Sequence, residues 1–244
     1  MLMADALGVE REDLLLGRMD GPAPAAFPAL LERRLACEPI AHIIGRRAFW
    51  TIELAVGPGV LIPRPDSETL IEAAAAHFGK DGPARILDLG TGPGTLLLAA
   101  LDQWPDATGL GIDASADALA YARRNGGERA AFRLGNWGEG IAERFDLILC
   151  NPPYVEAGAE LPADVARYEP AAALYAGADG LDAYRALAPQ FGRLLGPGGI
   201  VCLEIGAGQQ AEVSALMAAQ GFTVESRRDL NGIVRCLILS VDIE

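Results

Sequence analysis

Histidine is scarce in this chain of 244 residues, which holds only His42 and His77, and its four cysteines, Cys37, Cys150, Cys202 and Cys236, include no CxxC pair. Thiolate or imidazole ligands at metal-binding spacing are therefore missing, which speaks against a metal site. Three of the cysteines fall inside apolar runs, where a thiol behaves as a small hydrophobe, so reduced, buried thiols in an intracellular protein are expected. No apolar stretch approaches the length that spans a bilayer. The start, MLMADALGVEREDLL, carries acids in place of a basic n-region and has no long apolar core, so it is not a secretory signal, and the expected location is cytoplasmic. Basic charge is also short. Twenty Lys and Arg face 33 Asp and Glu, a net charge of −13, which weighs against any partner gripped mainly through phosphates.

What is present is globular: 51% hydrophobic, 22% charged and 6% aromatic residues, without the apolar depletion of disordered chains. The length suits one main domain with a small appendage. Apolar residues recur at helical spacing between Arg11 and Cys37, broken by Gly21-Pro22-Ala23-Pro24, which predicts two short helices. Residues 48–56 (AFWTIELAV) predict a strand or hairpin, and Asp66 or Ser67 is placed to cap a helix that runs to about Phe78. From Ala84 onward short β-rich runs alternate with helical patterns, the sequence form of a parallel sheet covered on both faces. The predicted strands are 85–90, 108–113, 131–135, 145–151, 200–206, 222–227 and 235–241. Too few residues separate the last two for a crossover helix, so an antiparallel pair at one edge is expected.

Two segments carry chemistry. In Asp88-Leu89-Gly90-Thr91-Gly92-Pro93-Gly94 the glycines let the backbone turn sharply and approach a ligand, and the following helix start offers free N–H groups. The dinucleotide fingerprint needs a glycine where Thr95 stands; here it falls one place early, at Gly94. Asp113 ends the next strand, where an acid meets a ribose in Rossmann-like sheets; the lesser reading is a strand-end acid that caps the helix beginning near Ser115. Asn136-Trp137 follows the third strand, where an adenine would sit, and Trp137 has an alternative reading as an ordinary packed aromatic.

The second segment is Asn151-Pro152-Pro153-Tyr154, directly after the fourth strand and so at the ligand crevice of an open α/β sheet. Two prolines fix φ and remove two N–H donors, leaving carbonyls as rigid acceptors, while Asn151 adds an acceptor and Tyr154 a flat face. Such a site suits a planar NH₂ group, whose lone pair is delocalised and which gains nucleophilicity when Asn151 and the Pro152 carbonyl accept its two N–H bonds.

These residues resemble the HemK-like family, the protein-(glutamine-N5) methyltransferases that modify peptide chain release factors. The matching stretches are EPIAHIIGRRAFW (38–50), VLIPRPDSETLIE (60–72), ILDLGTGPG (86–94), FDLILCNPPYV (145–155), YEPAAALYAGADGLDAYR (168–185) and LEIGAGQ (203–209). The resemblance implies an α/β, Rossmann-like class I methyltransferase fold with a seven-stranded, mostly parallel sheet, an antiparallel last strand, a small helical N-terminal segment and a β-hairpin. It implies S-adenosylmethionine as methyl donor, S-adenosylhomocysteine as product and no metal. The acceptor it implies is the glutamine of the Gly-Gly-Gln motif in class 1 release factors. Position by position, the cofactor loop falls on Gly90, Thr91, Gly92, Pro93 and Gly94, the ribose acid on Asp113, the adenine-side aromatic on Trp137, and Asn151 adjoins both cofactor and substrate. Asn151 and Pro152 take the catalytic role, and Asn151 to Tyr154 bind the substrate. Ile62-Pro63-Arg64-Pro65 would line the lid, with Glu169 and Glu204 bracing the site.

The expected organisation is a substrate-binding helical segment over 1–45, a hairpin and linker helix over 46–81, and the methyltransferase domain over 82–244. Two departures from the family pattern stand out: fewer residues precede Glu38 than usual, implying a reduced grip on substrate or a late start, and Asn136 replaces a more usual acid. The rival readings are an amino-methyltransferase acting on adenine or guanine in nucleic acid, a non-catalytic S-adenosylmethionine-binding protein and, last, an NAD-dependent reductase. No membrane partner is expected, and the −13 balance disfavours direct nucleic-acid binding.

Overall fold

The computed structural model describes residues 1–17 and 21–241; residues 18–20, in the stretch expected to hold two helices, and 242–244, closing the expected catalytic domain, lie outside it. The chain starts with four short helices, α1 (Leu2–Leu7), α2 (Arg11–Leu15), α3 (Phe27–Leu35) and α4 (Ile40–Ile44). Two of these answer to the apolar spacing between Arg11 and Cys37. The other two, α1 and α4, span fewer than two full turns, too little for a 3.6-residue period to declare itself. Strands β1 (Arg46–Phe49) and β2 (Ile52–Ala55) form the hairpin, turning at Trp50 with φ 53°. A single 3₁₀ turn over Pro65–Ser67 leads into α5 (Glu68–Phe78). Ser67 stands at the N-terminus of that helix, yet its side chain makes no capping bond, contrary to the expectation.

The main sheet comprises β3 (Arg85–Leu89), β4 (Thr108–Asp113), β5 (Ala130–Leu134), β6 (Phe145–Cys150), β7 (Leu195–Glu204), β8 (Thr223–Arg228) and β9 (Val234–Ser240), in the order β5-β4-β3-β6-β7-β9-β8. Pairing is parallel from β5 through β7, and β9 runs antiparallel to both β7 and β8. The expected antiparallel pair is therefore present, with its antiparallel member inserted one place in from the edge.

Among the described residues five helices pack against the sheet, α5 already named, α6 (Thr95–Gln103), α7 (Ala116–Asn125), α9 (Asp182–Leu194) and α10 (Gln210–Ala218), while α8 (Ala163–Tyr168) lies in the connection between β6 and α9. Period-two alternation sends Ile86, Leu147, Leu149 and Ile200 to one face, where they meet Leu70, Leu97 and Ala118 of α5, α6 and α7. Leu87, Ile148, Val201 and Leu237 point the other way, against Tyr184, Leu187 and Phe191 of α9 and Val213 and Met217 of α10. The hairpin shares the first core through Phe49 and Leu54. Asn125 fastens it by accepting from the Ala55 N–H at 2.8 Å and donating to the Ala55 carbonyl at 3.0 Å. Among the described residues no helix is long and apolar enough to cross a membrane.

Strand order fixes where a ligand can sit. The chain moves outward from β3 to β4 and β5, then returns to place β6 on the other flank of β3. Helical crossovers diverge there, and the gap beyond the carboxyl ends of β3 and β6 is the topological switch point of the sheet. Both segments singled out by the sequence, 90–94 and 151–154, leave from these two strand ends.

Candidate active site

The loop after β3 is built by backbone geometry. Gly90, Gly92 and Gly94 have φ of 75°, 57° and 90°, a left-handed conformation that side chains with a Cβ adopt only at a cost of roughly 1–2 kcal/mol each. The loop is anchored at its start, where the N–H groups of Gly90 and Thr91 both donate to the Ile112 carbonyl at 2.9 Å. Asp113 holds its middle: Oδ2 accepts from the Gly92 N–H at 2.8 Å and Oδ1 from the Ser115 N–H at 2.8 Å. Each oxygen of that carboxylate keeps a further lone pair. The helix cap that the sequence also allowed there is made by Ser115, whose hydroxyl accepts from the Ala118 N–H at 3.1 Å.

Behind the loop lies Asp88, 1% exposed, whose Oδ2 accepts from the Thr91 hydroxyl at 2.7 Å and from the Leu97 N–H, in the first turn of α6, at 3.2 Å. Its Oδ1 has no hydrogen-bond partner among the described residues. Burial pushes the Asp88 carboxyl up to about 7, against the opposing pull of the Thr91 hydroxyl and the Leu97 N–H.

A cavity of about 300 Å³ opens over this loop, lined among others by Gly90, Gly92, Asp113, Asn136, Trp137, Asn151 and Pro153. A smaller annexe of about 40 Å³ touches Arg64, Ser67, Asp88, Thr91 and Asn151, and the two spaces share Gly90 and Asn151 as lining residues. Trp137 is itself left-handed, at φ 49°, and the Cβ that Gly90 lacks would stand 3.4 Å from its ring. A bulky residue in that conformation at a cavity wall marks a place where the fold sustains strain for position. The Asn136 Nδ2 donates to Glu139 at 3.0 Å, which leaves its oxygen as an acceptor beside the cavity.

At the other strand end, Asn151 is half-buried and its Nδ2 donates to the Ser67 hydroxyl oxygen at 3.2 Å. Tyr154 turns inward: its hydroxyl donates to Glu204 Oε1 at 3.3 Å, and burial together with the Glu204 charge pushes its pKa far up, so it remains a neutral donor. Gln209 closes the far side by donating to the Tyr154 carbonyl at 3.1 Å. Glu204 is 1% exposed and is pushed up to about 7 by burial, against the Ser67 hydroxyl, Arg235 and the Tyr154 hydroxyl, which pull it down.

A flap completes the enclosure. Pro170, Ala172 and Ala173 line the cavity, and Glu169 beside them is buried while accepting from the Ile62 N–H at 3.0 Å and from the Arg64 guanidinium. Tyr168 donates its hydroxyl to the Ala36 carbonyl at 2.9 Å, so the N-terminal helices reach the same flap.

Residues 80–228 match a family model described as a methyltransferase domain, and residues 1–45 match one described as the PrmC N-terminal domain. The release factor glutamine methyltransferase of Rhodospirillum rubrum is 44% identical over 98% of this chain and 76% of its own length. That of Caulobacter vibrioides is 42% identical over 95% of this chain and 84% of its own. The chain belongs to the release factor glutamine methyltransferase family. Its fold is shared with more distant proteins, among them a methyltransferase from Pyrococcus furiosus with TM-score 0.60, 20% identity and 87% and 98% coverage of the two chains.

In this family member the residues expected from sequence do not all face the same space. Gly90, Gly92, Asp113, Trp137, Asn151 and Pro153 line the main cavity. Thr91 lines the annexe, Pro93 presents its carbonyl to Asn125 at 2.9 Å, and Gly94 turns the chain into α6. Pro152 is buried behind Asn151, and Tyr154 packs toward the second core. Glu169 and Glu204 brace the site through the contacts described above. Sequence reasoning did not single out Ser67 and Asp88 as residues that line the annexe. Asp88 carried a signal, an acid among the apolar residues Ile86, Leu87 and Leu89; Ser67 was disguised as a helix cap.

Proposed function

We propose that the chain transfers the methyl group of S-adenosylmethionine to the side-chain amide nitrogen of the glutamine in the Gly-Gly-Gln motif of class 1 release factors. The observation that carries this reading is Asn151 at the switch point, its NH₂ occupied by Ser67 and its oxygen left to accept, on the shared wall of cavity and annexe.

The cofactor, an adenosine joined through a positively charged sulfur to an amino acid, fits what the structure offers. Asp113 keeps lone pairs for two ribose hydroxyls, Trp137 and the Asn136 oxygen suit an adenine, and the unpartnered Oδ1 of Asp88 beside the annexe suits an ammonium group. When bound, it supplies an electrophilic methyl group. Asn151 Oδ1 and the Pro152 carbonyl then accept the two N–H bonds of the glutamine carboxamide, orienting its nitrogen and favouring the positive charge that develops there as the new N–C bond forms. The amide proton turns acidic only at that stage and leaves to solvent, so neither a strong base nor a metal is needed beforehand. Tyr154, tethered to Glu204, offers its ring and not its proton. Flap residues 170–173, held by Glu169, exclude water from the donor.

We take residues 1–45 as the substrate-gripping segment and 82–244 as the catalytic domain joined by the hairpin and linker helix, working in the cytoplasm. An exocyclic amine of a base presents similar N–H geometry, but the net charge of −13 opposes a nucleic-acid backbone. The reading is tested by incubating the protein with radiolabelled S-adenosylmethionine and either a release factor or structured RNA and DNA, then mapping the methyl: label on the Gly-Gly-Gln glutamine supports it, and label on nucleic acid alone rejects it.

A further inference from the structure

A carboxamide holds two N–H donors at one end and an acceptor oxygen at the other, and in Gln209 both ends are engaged by groups from separate elements. Its Nε2 donates to the Tyr154 carbonyl at 3.1 Å and to the Gly180 carbonyl at 3.4 Å. Its Oε1 accepts from the Gly206 N–H at 3.0 Å and from the Tyr184 hydroxyl, on α9, at 3.3 Å. Carbonyls only accept and a backbone N–H only donates, so the sense of this side chain is set by its partners. Gln209 stands at the N-terminus of α10 but makes no capping bond there among the described residues; its side chain reaches back toward the crevice instead.

Two glycines clear the space it uses. At Gly180, where φ is 71°, an added Cβ would collide with the Tyr154 carbonyl oxygen and stand 2.8 Å from Gln209 Nε2. At Gly206 one would stand 2.6 Å from Gln209 Oε1 and 3.1 Å from the Tyr154 ring. The two carbonyls that share the NH₂ belong to different parts of the enclosure. Tyr154 closes the tetrapeptide, and the residues after it pair with the chain returning from the flap: the Val155 N–H donates to the Leu174 carbonyl, the Ala176 N–H to the Val155 carbonyl and the Ala157 N–H to the Gly177 carbonyl, each at 2.8 Å. Gly180 ends that return just before α9. Pro152 and Pro153 have φ fixed by their rings, so a hold on the Tyr154 carbonyl also constrains the Pro152 carbonyl two residues back.

We propose that Gln209 is a positioning residue for methyl transfer: its NH₂ joins the end of the tetrapeptide to the return of the flap and so keeps Asn151 Oδ1 and the Pro152 carbonyl in place for the acceptor amide. The inference rests on the reading of that pair as acceptors of the glutamine N–H bonds. It separates the two ends of the Gln209 side chain by task. The oxygen serves the turn into α10 and the helix α9, and the nitrogen serves the crevice.

The test measures kcat, KM for the release factor and calorimetric cofactor affinity in the full chain for Gln209→Glu, Gln209→Met and Asn151→Ala, and for Gln209→Glu combined with Asn151→Ala. Gln209→Glu keeps the length of the side chain and an oxygen for Gly206 and Tyr184, but sets a carboxylate oxygen against the Tyr154 and Gly180 carbonyls. It should lower kcat roughly tenfold or more, at least as far as Gln209→Met, with cofactor affinity changed less than about twofold. In the Asn151→Ala background the same change should cost less than about threefold, since it acts through the tetrapeptide. A Gln209→Glu enzyme as active as the parent would show that only the oxygen end matters and would overturn the proposal. So would full additivity in the double variant, or a loss of cofactor affinity as large as the loss in kcat. A parent enzyme that methylates no glutamine would instead reject the reading on which the proposal rests.

Discussion

The two halves of the crevice are made by different means. The loop over Gly90–Gly94 is a local object: its turns come from glycines at positive φ, and its braces, Asp88 and Asp113, lie within about two dozen residues on the adjacent strands. The tetrapeptide over Asn151–Tyr154 is stiff in backbone but has its chemistry set from afar, by Ser67 eighty-four residues before Asn151 and Glu204 fifty residues after Tyr154. A nucleoside needs a surface of fixed shape, which backbone supplies with little side-chain help. Orienting one carboxamide against another needs hydrogen bonds of fixed sense, which only side chains packed from several elements provide.

Substitutions should separate the two halves cleanly. The largest effect is expected from Asn151→Ala, which should reduce kcat by roughly 10²–10³ while calorimetric affinity for the cofactor changes only a few-fold. Gly94→Ala attacks the other half: φ is 90° and the added Cβ would come within 3.2 Å of Leu98 Cγ, so cofactor affinity should fall roughly tenfold with little change in kcat at saturation. Asp113→Asn should weaken cofactor binding several-fold, because one carboxamide oxygen cannot accept from both Gly92 and Ser115. If either loop variant lowered kcat at saturating cofactor as strongly as Asn151→Ala, the division of labour would fail.

The smallest effect concerns stability. Asp88 and Glu204 are held at about 7 in the folded protein, above the ordinary values of 3.8 and 4.5, so the neutral forms are favoured by folding. Their stabilising contribution is full below the ordinary carboxyl range and is lost as pH rises through about 7. Thermal melts at pH 5 and pH 8 should therefore show Glu204→Gln gaining on the parent by a few degrees at the higher pH. An equal offset at both pH values would contradict the raised carboxyl.

The same contrast explains what could be read from the sequence. The sheet was legible because short β-rich runs alternate with helical patterns from Ala84 onward, and the glycine loop because its spacing is a backbone requirement. Asn151-Pro152-Pro153-Tyr154 was legible from its own residues as the segment leaving β6 at the crevice. Its support was not: Ser67 sits at a helix N-terminus, where a serine suggests a cap, and only the packing of α5 against β7 and β9 brings its hydroxyl to Asn151. The flap clasp joins Glu169 to Ile62 and Arg64 across more than a hundred residues, a pairing that no local pattern carries.

The central claim is that the acceptor is a protein glutamine. It is tested most directly by reacting the full chain with labelled S-adenosylmethionine and a class 1 release factor, digesting the factor and locating the methyl by mass spectrometry. The account predicts a single methyl on the side-chain nitrogen of the Gly-Gly-Gln glutamine, formed roughly 10²–10³ more slowly when Asn151→Ala replaces the parent. A methyl on any other residue, or transfer undiminished in that variant, would contradict it.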